Sequence, residues 1–120
     1  MADPALSIAG PRGRISISPE AVAQVVAHTV AECYGVVEMS APGRTPARRL
    51  LARVQPARGI AVTGGPDGVA IDVHVVVEHG LNLAEVASTV RSRVAYEVER
   101  LTGLTVASVD VHIRDVRRTA

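Results

Sequence analysis

Two segments of the chain, IDVHVVV from Ile71 to Val77 and VDVHIRD from Val109 to Asp115, repeat the tripeptide Asp-Val-His. An aspartate and a histidine two residues apart on a β-strand point to the same face, where the pair can serve acid–base chemistry or ligate a metal. Asp72, His74, Asp110 and His112 are therefore the first candidates for chemistry. If their strands are neighbours, Cβ atoms across the pair stand about 5 Å apart, close enough for two imidazoles to share a zinc ion. An intervening strand would part the histidines by about 10 Å and dissolve the site. The plainer reading is that alternation demands polar residues at these positions. On that reading there is no metal, no cofactor and no catalytic residue, and Asp72, His74, Asp110, His112 and Arg114 form an exposed sheet face available to a partner.

The other chemical candidates are weaker. Met39 to Gly65 contains Arg44, Arg48, Arg49, Arg53 and Arg58 and no acid, and arginine forks match phosphate or carboxylate oxygens in pairs. This interval is the anion- or partner-binding candidate, with solvation of a charged loop as its plainer reading. Glu78 and His79 precede Gly80 at a strand end, where polar residues are expected anyway. His28 falls off the apolar stripe of its helix, and Cys33 closes that stripe as a small hydrophobe. The run GGPDG lacks the Lys-Ser/Thr of a phosphate loop and sits between two strands, so it reads as a turn.

These residues need elements to position them. Residues 1–12 carry two prolines and no periodicity and read as a flexible arm; 13–117 read as one domain, with an Arg-rich loop at 40–58, and 118–120 as a tail. Ile15 and Ile17 alternate with serines as a short half-buried strand, and Ser18-Pro19 is a helix start. Val22, Val25, Val26, Val30 and Cys33 recur at helical spacing up to Gly35, and VVEM reads as a strand after it. PARRLLARV is compatible with a short helix. Gly59 to Val77 reads as a β-hairpin turning at Gly64–Gly68, with Val69, Ile71, Val73, Val75 and Val77 inward. Asn82 and Glu85 form a capping-box pattern, followed by a stripe of Leu83, Val86, Val90, Val94, Val98 and Leu101, an Arg93–Glu97 pair and a terminating Gly103. A last strand from Thr105 to Val116 turns Val109, Val111 and Ile113 inward. The expected fold is α+β, in the order β-α-β-β-β-α-β, with two helices on one face of a mixed sheet and the other face open.

Size and composition set the limits. At 120 residues the chain suits a single domain burying about 65% of its unfolded surface. One cysteine excludes an intrachain disulfide and suits a reducing compartment. The N-terminus lacks the basic start and apolar run of a secretory signal, and no stretch approaches the length of a membrane span, so a cytoplasmic location is expected. The net charge is +1, from 13 basic residues, all arginine, against 12 acids, and the only aromatics are Tyr34 and Tyr96. That balance, with so few stacking platforms, counts against nucleic acid.

GRISISPEAVAQVVAHTVAECYGVVEM, RGIAVTGGPDGVAIDVHVVVEHG and VRSRVAYEVERLTGLTVASVDVHIRDV together resemble the bacterial alkaline-shock or envelope-stress family, over about Arg14 to Val116. The resemblance implies a non-enzymatic protein of cell-envelope homeostasis. It also implies an oligomeric scaffold or interaction module, associating with itself or held at the membrane by a small membrane-protein partner. It carries over no catalytic residue. Two alternatives stand beside it: a nucleic-acid or phosphate-binding module built on the Arg-rich loop, and a metal-dependent site on the exposed sheet face.

Overall fold

The computed structural model describes residues 4–39 and 59–118. After a 3-10 turn at Pro4–Leu6 come β1 (Ser7–Gly10), β2 (Gly13–Ser16), α1 (Pro19–Ala31), β3 (Val36–Met39), β4 (Ile60–Gly65), β5 (Gly68–Glu78), α2 (Leu83–Thr102) and β6 (Val106–Arg117). The architecture is α+β, with two helices and the expected order of elements from β2 onward. Arg44, Arg48, Arg49, Arg53 and Arg58, together with the short helix expected in their midst, lie outside the described residues.

The strand β5 organises the main sheet. It pairs in parallel with β6 along its whole length on one side. On the other side two antiparallel strands share it end to end, β4 against Gly68–Val73 and β3 against Val75–Val77. The β4–β5 hairpin turns at Pro66-Asp67 between the paired Gly65 and Gly68, as the glycine-rich run requires.

Both helices cover one face. Val22, Val26 and Val30 of α1 and Val86, Val90, Val94 and Val98 of α2 meet Val69, Ile71, Val73, Val75 and Val77 of β5, and all of them are buried. The chain has neither phenylalanine nor tryptophan, so the core is made chiefly of valine. Valine suits a pleated strand but restricts helix rotamers, so both helices depend on this packing more than on propensity. Each buried valine contributes about 1.5–3 kcal/mol relative to exposure.

The helix ends follow local rules. Ser18 Oγ accepts from Ala21 N–H at 3.1 Å, with Pro19 at the first helical position. Asn82 Oδ1 accepts from Glu85 N–H at 3.0 Å, and Gly103 closes α2 in the left-handed region at φ 77°. Gly35 has φ 91°, and a Cβ there would stand 2.8 Å from Leu81 Cδ1, so this turn admits only glycine without rearrangement.

Several expectations need correcting. Residues 4–12, read as a flexible arm, hold the 3-10 turn and β1, and Leu6 is buried in the core. The hairpin partner of β1 is β2, so Gly13–Ser16 forms a separate two-stranded sheet and does not join the main one. Leu83 and Leu101, at the two ends of the α2 stripe, are exposed. Arg93 reaches Glu32, the C-cap residue of α1, at 3.6 Å, linking the two helices, and Glu97 takes Arg100 at 2.7 Å. Helix packing thus brings Arg93 a partner that spacing along α2 could not reveal.

Candidate functional site

The parallel ladder places the two Asp-Val-His triplets side by side and in register: Asp72 opposite Asp110, Val73 opposite Val111, His74 opposite His112. Val73 is fully buried beneath the helices and Val111 partly so. The aspartates and histidines lie on the face away from the helices, as alternation predicts. The side chains on β5 are half-buried, whereas Asp110 and His112 on β6 are exposed. A central strand has neighbours shielding its side chains on both flanks, and an edge strand has one.

The rings of His74 and His112 stack, with centroids 4.6 Å apart and planes 16° from parallel. His112 Nε2 lies 3.1 Å from Asp72 Oδ1, a diagonal contact between the strands. Because the rings lie face to face, the in-plane nitrogen lone pairs run alongside each other and do not converge on one ion. Among the described residues no three or more histidines, cysteines, aspartates or glutamates are grouped to hold a metal. What the arrangement provides is a charge-patterned surface on two hydrogen-bonded strands.

Further along this face, Arg117 of β6 donates to Glu38 of β3. Register puts Glu38 opposite Val76 and Arg117 opposite Glu78, so the ion pair crosses over the central strand. Val76 beneath it is only 4% exposed although it points away from the helices. No spacing rule could have paired residues so far apart in sequence; only the sheet order reveals them.

β6 carries two bulges. Val69 pairs with Val106 and Ala70 with Ser108, leaving Ala107 as an extra residue, and Val75 pairs with Ile113 and Val76 with Asp115, leaving Arg114 extra. Arg114, expected simply as the next alternating residue of the exposed face, is thus a bulge residue and is exposed.

The remaining candidates lie elsewhere. His28 is exposed on α1, and exposed His79 donates its backbone N–H to the Arg117 carbonyl at 2.9 Å. Cys33 is buried, its Sγ 3.4 Å from the Thr29 carbonyl, and burial raises its thiol pKa, which disfavours the thiolate. An open cleft of about 730 Å3 lies between the N-terminal hairpin, the β4–β5 turn and the α2–β6 connection; among the described residues that line it, Asp67 is the ionisable one. It went unseen in the sequence because residues 4–12 gave no sign of a hairpin.

No helix among the described residues is long and apolar enough to cross a membrane. An open-faced α+β domain with a polar Asp-His ladder defines a class without naming a reaction. Its family is shown by comparison: residues 7–118 match the alkaline shock (ASP23) family, described as having a cell envelope-related function, and the chain belongs to it. The uncharacterized protein YloU of Bacillus subtilis is 32% identical over 109 residues, 89% of this chain and 91% of that one. Spy1614 of Streptococcus pyogenes is 29% identical over 107 residues, covering 88% of each chain. A second B. subtilis protein, YqhY, is 28% identical over 101 residues, 84% of this chain and 75% of its own. No solved structure matches.

Proposed function

We propose that this protein serves cell-envelope homeostasis as a non-catalytic interaction module in the cytoplasm, self-associating and brought to the membrane by a small membrane-protein partner. The family's cell envelope-related function supports the setting. The observation that carries the mode of action is the side of the sheet away from α1 and α2, where Asp72, His74, Asp110 and His112 stand on hydrogen-bonded strands and, among the described residues, no helix covers them. Such a surface recognises by charge pattern and by strand pairing at its edge, and it asks for no bond-making group.

The test is crosslinking in the native cell followed by capture of this protein with the membrane fraction retained. Recovery of a membrane protein in stoichiometric amount is the expected result. Recovery of RNA alone, loss of that RNA at raised salt, or turnover of a small molecule by the purified protein would overturn the reading.

A further inference from the structure

β6 pairs with β5 along one side, and among the described residues no strand lies along its other side. The direction of its backbone groups follows from the hydrogen bonds of β5. Val69 N–H donates to the Thr105 carbonyl at 2.8 Å, whereas His74 N–H turns the opposite way and donates to the Gly59 carbonyl at 2.8 Å. Odd-numbered residues of β5 therefore bond towards β6. In a parallel ladder the residue opposite each of these turns its own N–H and C=O outward. Those residues are Val109, Val111 and Ile113, opposite Ile71, Val73 and Val75. The bulges at Ala107 and Arg114 bracket this stretch, so Ser108–Ile113 is its straight, pairing-competent window. Beside it runs an open groove of about 540 Å3, walled on the helix side by Ala84, Ala87, Ser88 and Arg91.

We infer that this edge is the interface between two copies of the chain, β6 pairing antiparallel with β6 of the second copy about a two-fold axis at Val111. The inference rests on the interaction-module reading above and specifies the partner and the register. Charge and face decide both. A slip of one residue would turn the valine face of one copy to the polar face of the other. With the axis at Val111, Val109 meets Ile113 of the second copy on the helix side, and Asp110 meets His112 of the second copy on the open side. His112 then stands between Asp72 of its own chain, 3.1 Å away, and Asp110 of the second copy. An axis at Asp110 would oppose two aspartates. An axis at His112 would oppose two histidines and shorten the ladder, because Asp115 beyond the bulge turns back towards β5. The edge is complementary to itself in one register, and the small side chains of Ala84, Ala87 and Ser88 leave room for the second copy's helix. The interface is isologous, so it uses both β6 edges and closes at a dimer.

Sedimentation velocity of the purified full chain across a range of concentrations tests the inference, with a dimer expected; a monomer at every concentration overturns it. The register is read from two single-cysteine proteins in a Cys33→Ala background, Asp110→Cys and His112→Cys, mixed and mildly oxidised. The pair is directly opposed without mutual backbone hydrogen bonds, the geometry that brings side chains closest. A mixed disulfide dimer is expected to predominate. A homodimer of His112→Cys or of Asp110→Cys forming faster than the mixed species overturns the register. Val111→Pro removes an outward N–H that β5 does not use, so it should weaken the dimer Kd by about tenfold or more while far-UV circular dichroism is retained. An unchanged Kd overturns the edge pairing, and if the proline variant fails to fold the mixed disulfide decides. A chain that is monomeric yet captures a membrane protein in the cell loses this inference and the self-association with it, and keeps the membrane-partner part of the functional proposal. A dimer that captures none does the reverse.

Discussion

The two Asp-Val-His triplets are identical in sequence and adjacent in the sheet, yet they occupy different physical situations. The triplet on β5 has strands on both flanks: Val73 is wholly buried, and Asp72 and His74 are half-covered. The triplet on β6 stands at an edge: Val111 is only partly buried, and Asp110 and His112 are open to solvent. Alternation assigns the same faces to both. Position in the sheet assigns the depth, and depth decides which triplet supports the core and which can meet a partner.

The seam between the triplets is the point at which this contrast is most easily broken. It begins where Gly68, at φ 135°, packs so closely that a Cβ would lie 2.5 Å from the Thr105 carbonyl oxygen. Gly68→Ala should cost about 3 kcal/mol by backbone strain and forced separation of the strands. Gly80→Ala, also at positive φ but with nothing within 4 Å of a new Cβ, should cost only the conformational part, about 1 kcal/mol. Urea midpoints compare the two, and equal losses would mean that the β5–β6 seam is not tightly closed at its start.

The central valines give the next largest effect. In the dissociated chain Val73→Ala should destabilise by about 2 kcal/mol and Val111→Ala by less than about 1, since one leaves a cavity and the other a site that water can reach. If the two changes cost the same, the edge triplet is covered in the isolated protein, which concentration-dependent unfolding would trace to a second copy.

A smaller contrast concerns the aspartates. Asp72→Asn weakens the contact with His112 and should cost about 0.5 kcal/mol, discounted because both side chains are more than two-fifths exposed. Asp110→Asn in the dissociated chain should cost nothing measurable by the same denaturation assay. The reverse order would place the structural contact on the wrong strand.

The smallest effect belongs to a reference carboxylate away from both triplets. A hydrogen bond from Arg100 holds Glu97 below the ordinary glutamate range, opposed by a little desolvation and aided by the charges of Arg100 and Arg93. Because the folded value is lowered, its contribution is present above the ordinary glutamate pKa and fades as pH falls through the lowered one. In an NMR titration of side-chain carboxyl carbons, Arg100→Gln should move the Glu97 midpoint upward, and no movement would remove the hydrogen bond as its cause.

How much of this was legible follows from which residues carried it. The helix starts at Ser18 and Asn82, the stop at Gly103, the β4–β5 turn and the inward valines all announced themselves through rules that act within a few residues. The hairpin of Ser7–Ser16 was legible only in its second half, since Pro4 and Pro11 hid the first. The candidate site was half legible: the faces of Asp72, His74, Asp110 and His112 were set by alternation, but their adjacency was not.

By itself the sequence determined the local order of elements, the family and the side of the sheet on which each polar residue lies, because period, capping and turn chemistry are short-range. Only the tertiary structure decided that β5 is central and β6 an edge, that the histidines stack, that Arg117 reaches Glu38 across Val76, and that two bulges bracket Ser108–Ile113. Strand order and register arise from contacts between segments some forty residues apart, as between Asp72 and His112. They are selected by how the whole valine core closes under two helices, which no window along the chain contains.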